Sequence, residues 1–279
     1  MKIDALFRYP VKSMLGESID ASIVGDRGLL GDRGYALVDQ ETGMVASAKN
    51  PRRWSVLFAC RAAYLAEPHD AAELPPVEIT GPGGETIRSD DPGAHAALSR
   101  IVGRAVRLET RPPKGAKLEQ YRLPVEGFAD ERDDTVTDEK IAAVAPGTFF
   151  DAAPLHVVTT ASLSRLHELS PETSFPPARF RPNAVVAVDD AAGFVENDWV
   201  GHSVALGAEV QASVFLAAPR CVMTTLEQAD LPRDNTVLQT VARHNRFDIP
   251  GLGPSSCVGV YALVTRGGGV QQDDPVEIT

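Results

Sequence analysis

Val204–Thr225 reads VALGAEVQASVFLAAPRCVMTT. Its apolar spacing predicts a strand pair. The last apolar run, VFLAA, ends at Pro219, Arg220 and Cys221, so a thiol and a fixed positive charge stand at the tip of a strand. Two readings of Cys221 are open. It is a small buried hydrophobe, or its thiolate is a ligand or nucleophile, the form that a neighbouring guanidinium favours.

Strands dominate on both sides of this stretch. KIDALFRYP alternates, with Ile3, Ala5 and Phe7 expected on one face, and ESIDASIV reads as a second strand. GYALVDQETGMVASA reads as a hairpin turning at Gln40–Gly43. VLFACRAAYLA reads as a strand, and PVEITGPGGETIRS as a hairpin with a Gly-rich turn. A short helix is expected from His95 to Val102, stopped by Gly103. HVVTTASLSRLHEL is a strand running into a helix capped by Thr160 or Ser162. ARFRPNAVVAV is a charged tip feeding a strand, and NTVLQTVARHN is a short helix with Asn235 as its cap. CVGVYALVTRGGGVQQDDPVEIT supplies two closing strands around a Gly-rich turn. The polar stretch from Arg111 to Pro146 reads as a linker or a lid. The expected fold is mostly β with short helices, divided into residues 1–115 and 116–279.

Composition bounds the function. The chain has 279 residues and a formal net charge of -11, which argues against nucleic acid or an anionic membrane as the main partner. Three cysteines are too few for a disulfide framework. No signal peptide or apolar span of about 18 residues is present, so a cytoplasmic protein is expected. There is no GxGxxG after a strand, no P-loop, no GxSxG, no CxxC and no HExxH. The six histidines show no zinc-ligand spacing, and His156 and His167 read as structural or exposed.

What remains is a set of cationic strand tips. RYPVKSM carries Arg8, Lys12 and Ser13; GDRGY carries Arg33; SAKNPRR carries Lys49. TTASL carries Thr159, Thr160 and Ser162; RFRPN carries Arg179, Arg181 and Asn183; PRC carries Arg220 and Cys221. If these tips converge they form an anion pocket, since Arg offers a fork to phosphate and Lys a point charge. If they do not, they are solvated strand ends. Arg179, two residues before Arg181, is expected on the opposite face of a strand and to be the milder site of substitution.

The segments RYPVKSMLGES, GLLGDRGYALVD, TTASL, RFRPNAVV, PRCVMTT and GVYALVTRGGGVQQDDPVEI run from the first strand to the last. In them the chain resembles MOSC-domain proteins, and within these the two-part members with an N-terminal MOSC β-barrel domain, the amidoxime-reducing branch included. The resemblance implies an N-terminal β-barrel-like domain packed on a MOSC β-barrel domain, with a molybdenum cofactor (Mo-molybdopterin) in the cleft between them. It implies Cys221 as the catalytic residue and metal ligand, and Lys12, Ser13, Arg33, Ser162, Arg181, Asn183 and Arg220 around the pterin and its phosphate. At Lys49 that branch tends to have Arg. The implied reaction is reduction of N-hydroxylated small-molecule substrates such as hydroxylamines, amidoximes or N-hydroxylated bases. Asp230 and Asp234, after the cysteine, read either as substrate-side or proton-relay groups or as a solvated acidic loop. The chain lacks a C-x4-C-x2-C iron–sulfur run, so electrons are expected from a separate donor protein of ferredoxin or flavoprotein type. The alternative is a sulfur carrier holding a persulfide on Cys221.

Overall fold

The computed structural model describes residues 1–121, 136–140, 147–189 and 193–279. Strands dominate and the helices are short, as the apolar alternation requires. The main sheet runs in the order Val276–Ile278, Ser203–Leu206, Val210–Pro219, Gly253–Arg266, Leu155–Thr159, Ala184–Ala187, Lys2–Arg8, Glu17–Ile19, with Arg246–Ile249 paired to the lower part of Gly253–Arg266. All these pairs are antiparallel except Leu155–Thr159 with Ala184–Ala187. A parallel pair needs a crossover longer than a hairpin turn. The helix Thr160–Leu169 and the helical turn Pro177–Phe180 lie in that connection.

The sheet draws Lys2–Arg8 and Glu17–Ile19 from one end of the chain and its remaining strands from the second half. In return Gly268–Gln271 pairs with Ala21–Gly25. One hydrophobic cluster therefore joins Ile3, Leu6, Val24 and Leu29 to Leu155, Val186, Val214 and Val260. A second cluster lies wholly within residues 11–108, around Leu37, Trp54, Leu57, Ile79 and Leu98.

Several expectations shift by a residue or an element. In Lys2–Arg8 the register slips between Ile3 and Ala5. That bulge turns Leu6 and Arg8 inward with Ile3, in place of Ala5 and Phe7. ESIDASIV divides into Glu17–Ile19 and Ala21–Gly25. VLFACRAAYLA becomes a 3-10 turn, Ser55–Ala59, followed by the strand Arg61–Tyr64. The turn at Gln40–Gly43 forms with Gly43 at φ 71°, yet the main partner of Ala36–Asp39 is Val106–Glu109. The helix Ala94–Val102 stops at Gly103, at φ 68°, as expected. The cap of Thr160–Leu169 is Thr159, whose hydroxyl accepts from Ser162 N. The two closing strands do not pair with each other, because Gly268–Gln271 goes to Ala21–Gly25.

Within the polar stretch, Lys117–Tyr121 and Val136–Lys140 pair as an antiparallel ladder. Leu118 is buried against Ala36, Val45 and Phe149, so this part of the expected linker is packed structure. The rest of the stretch, residues 122–135 and 141–146, lies outside the described residues, and the lid reading lies there with it.

Candidate functional site

The strand Val210–Pro219 carries register shifts at Val214/Leu216 and Ala217/Pro219. Bulges re-aim side chains at the ends of strands, and these two precede Cys221. Arg220 N donates to Ser256 O at 2.7 Å, the last bond along that edge. Cys221 then opens the 3-10 turn Val222–Thr225, its carbonyl accepting from Thr224 N at 3.2 Å and Thr224 Oγ1 at 3.1 Å. Its backbone is committed and its thiol is half-buried. Cys60 and Cys257 are buried, and burial pushes each thiol up to about 11. Those two keep the bland reading of a small hydrophobe.

Cys221 faces a cavity of about 290 Å³, at the lower end of ligand-sized clefts (~300 Å³). Its wall brings together Lys12, Ser13, Arg33, Lys49, Arg181, Asn183, Arg220 and Cys221 from across the chain. Among the described residues Asp151 is the only carboxylate in that wall, against seven Lys and Arg side chains, although the whole protein is acidic. Five non-glycine residues have positive φ among the described residues, and three of them line this cavity: Ser13 at 64°, Arg33 at 48° and Arg181 at 56°. Each costs about 1 kcal/mol or more, so the surrounding hydrogen bonds impose these turns.

Those bonds centre on Asp32. Its carboxylate accepts from Tyr9 N and Asn183 Nδ2, both at 2.8 Å, and pairs with the Arg33 guanidinium. Asn183 Oδ1 accepts from His156 N at 3.1 Å. The Asn183 amide is thus spent on joining three segments. Ser13 Oγ accepts from Ala48 N at 3.1 Å. Arg220 donates to Ala218 O, Phe180 O and Tyr261 Oη at 3.1, 2.9 and 2.6 Å. Its guanidinium fastens the cysteine strand to the turn that carries Arg181.

The other cations of the wall are held differently. Lys12 Nζ donates to Phe149 O at 2.8 Å and pairs with Asp151, which also lies 3.3 Å from Lys49 Nζ. Burial works to raise the Asp151 pKa, but Lys12 and Lys49 outweigh it and hold the carboxyl well below its usual range. Burial pulls the Lys12 pKa down. Arg181 is buried, and no carboxylate pairs with it among the described residues. Its guanidinium donates to Met14 O at 2.7 Å and lies 4.2 Å from the Tyr9 ring centre and 5.6 Å from that of Phe58. Burial, with Arg33 next, pushes it down to about 10, so it stays charged at neutral pH.

Three expectations are corrected here, and the structural reading of His156 stands. Ser162 does not line the cavity; it is buried, and its hydroxyl donates to Glu196 at 2.6 Å. Asp230 and Asp234 do not line it either, and Asp234 accepts from Thr236 N at 2.8 Å ahead of the next helix. Arg179 lies in a helical turn rather than a strand, so the opposite-face argument fails. It is 1% exposed and donates to Ser174, Thr224, Leu226 and Pro232 carbonyls at 2.8–3.3 Å. His156 is buried in the cavity wall between Val258 O and Arg181 O. Burial and then Arg220 hold its pKa well below the usual value, so it is neutral. Sequence reasoning missed Tyr9, Asp32, Asp151 and Tyr261, though Tyr9 adjoins Arg8 and Asp32 adjoins Arg33, both of which it named.

The donor set limits what metal chemistry fits. Among the described residues no three His, Cys, Asp or Glu side chains could hold a metal ion together. A metal at Cys221 must therefore arrive with most of its ligands supplied by an anionic carrier, and the cationic wall suits such a carrier. No helix of the described residues is long and apolar enough to cross a membrane.

Residues 145–277 match the MOSC domain, and residues 1–82 match the MOSC N-terminal beta barrel domain. Mitochondrial amidoxime reducing component 2 of Homo sapiens is 25% identical over 97% of this chain and 81% of its own length. That of Macaca fascicularis is 27% identical over 97% and 81%. Mitochondrial amidoxime-reducing component 1 of Homo sapiens is 23% identical over 97% and 81%. The crystal structure of the YUAD protein from Bacillus subtilis aligns with 99% of this chain and 94% of its own at 12% identity, with a TM-score of 0.45, too loose to transfer any site. Both domains are present, in the family's order and along most of the chain, and the chain belongs to the MOSC-domain proteins with an N-terminal MOSC beta barrel domain.

Proposed function

We propose that the cavity holds a molybdopterin-type molybdenum cofactor with the Cys221 thiolate as the metal's protein ligand. The protein then reduces N-hydroxylated small molecules with electrons from a separate donor protein, in a cytoplasmic setting where its thiols stay reduced. The observation that carries this reading is Arg181, a buried, charged guanidinium with no paired carboxylate among the described residues, in the same cavity as the half-buried thiol of Cys221. A buried charge of this kind needs an anion to offset its desolvation. Similarity to amidoxime reducing components over nearly the whole chain supports the reaction class.

When bound, the cofactor supplies two-electron chemistry and an open position for the oxygen on nitrogen. The chain's own residues bind and orient. Arg33 and Arg181 present forks to the pterin's anionic groups, while Lys12 and Lys49 present point charges. Ser13 and Asn183 hold the loops that carry them. Arg220 fixes the strand end beside the ligand cysteine. Neutral His156 fills the wall without adding charge.

The test is metal and pterin analysis of protein from a molybdenum-replete host. We expect about one molybdenum and one pterin per chain, with molybdenum lost in Cys221→Ser. A protein without either, but with cyanide-labile sulfur on Cys221, would be a sulfur carrier and would end this reading.

A further inference from the structure

The cavity places two guanidiniums against one ring. Arg33 Cζ lies 4.5 Å and Arg181 Cζ 4.2 Å from the centre of the Tyr9 ring. Arg33 Nη2 donates to Arg181 O at 3.4 Å, so the two arginines are also linked through the backbone. Both sit in left-handed turns, and both line the cavity. Like charges this close repel. Asp32 pairs with Arg33, whereas Arg181 feels Asp32 and Asp151 only at longer range and pairs with no carboxylate among the described residues. The negative face of an aromatic ring attracts a cation, most strongly where water is excluded, and Tyr9 is buried. Burial raises the phenol to about 12 against the pull of Arg181 and Arg33. The ring meeting the two cations is therefore neutral.

We propose that Tyr9 is a positioning residue: its ring holds Arg33 and Arg181 as a preformed pair for one phosphate or pyrophosphate group entering the cavity. Naming that group as the cofactor's rests on the function proposed above; the pairing of the two arginines does not. The contact that matters is the ring face, so the hydroxyl is dispensable. Lost pairing lets the guanidiniums separate, and the anion must then bring them together at its own expense.

The test varies the ring without varying its shape. The full chain is made with Tyr9→Phe and with trifluoro- and pentafluorophenylalanine at position 9, and inorganic pyrophosphate is titrated calorimetrically into cofactor-free protein. Fluorination withdraws charge from the ring face, so affinity should match wild type within about twofold for Phe and fall by about tenfold across the fluorinated series. An affinity that is flat across the series, or that falls as far with Phe alone, overturns the role of the ring. So does a wild-type protein that binds no pyrophosphate. Molybdenum and pterin content is measured on the same variants. A graded pyrophosphate series in a protein that never holds molybdenum sustains the clamp and rejects the cofactor.

Discussion

Arg181 is a charge buried at a cost. Met14 O and two ring faces replace part of its lost hydration, yet among the described residues it lacks the paired carboxylate that usually accompanies a buried guanidinium. The cost is repaid only when an anion binds. Arg181→Met should therefore raise the midpoint of thermal unfolding of the cofactor-free protein by a few degrees, on the order of 1 kcal/mol, while reducing molybdenum occupancy by tenfold or more. Thermal scans and metal analysis on the same samples read both signs. A variant that is less stable and still retains the metal would make Arg181 a structural residue. At this scale the sequence was informative where chemistry is unusual for its context. A cysteine after Pro-Arg and basic tips in an acidic chain stand out. Tyr9 and Asp32 do not, because a tyrosine at a strand end and an aspartate before a glycine-flanked arginine read as ordinary turn residues. Ser162 illustrates the converse: the family resemblance places it at the pterin, and its hydroxyl is committed to buried Glu196.

Elements were legible wherever alternation was unbroken, as in Val77–Thr80 with Thr86–Arg88 and in the helix ended by Gly103. They were misread where one extra residue shifts the pleat. The bulge in Lys2–Arg8 inverts its inner face, and no local property of KIDALFR announces it. Arg179 was misjudged for the same kind of reason. A two-residue step reverses direction only in a strand, and RFRPN begins as a helical turn. Its guanidinium serves the carbonyls of Thr224, Leu226 and Pro232, within and after the turn that Cys221 opens. Arg179→Ala would strand these acceptors, so it should destabilise by roughly 3 kcal/mol, more than Arg181→Met in either direction. It should also speed alkylation of the Cys221 thiol, because the turn beside it loses its tether. Denaturant titration and thiol-labelling kinetics check this. An unchanged labelling rate would show that the turn holds its shape without Arg179.

The two ends of the chain meet in one structure. Val276 N donates to Met1 O at 2.9 Å, Ile3 N donates to Asp274 O at 2.9 Å, and Gly268–Gln271 pairs with Ala21–Gly25. Lys2–Arg8 lies between Glu17–Ile19 and Ala184–Ala187 in the main sheet. A reading along the sequence finds composition shifts and places a boundary near 115, but strand partners far apart in the chain leave no local mark. We propose that 1–115 and 116–279 divide the sequence without dividing the folding unit. Removing residues 1–115 would expose the edge of Ala184–Ala187 and take away Lys12, Ser13 and Arg33. Removing 116–279 would leave Lys2–Arg8 with only the three-residue strand Glu17–Ile19 as a partner. The intact protein should therefore unfold in one calorimetric transition whose van't Hoff and calorimetric enthalpies agree, and neither fragment made alone should melt cooperatively. Two resolved transitions in the intact chain, or a cooperative melt of fragment 1–115, would show that the boundary in the sequence is also a boundary in folding. The cavity, whose wall takes residues from both fragments, would then form by docking of two finished units.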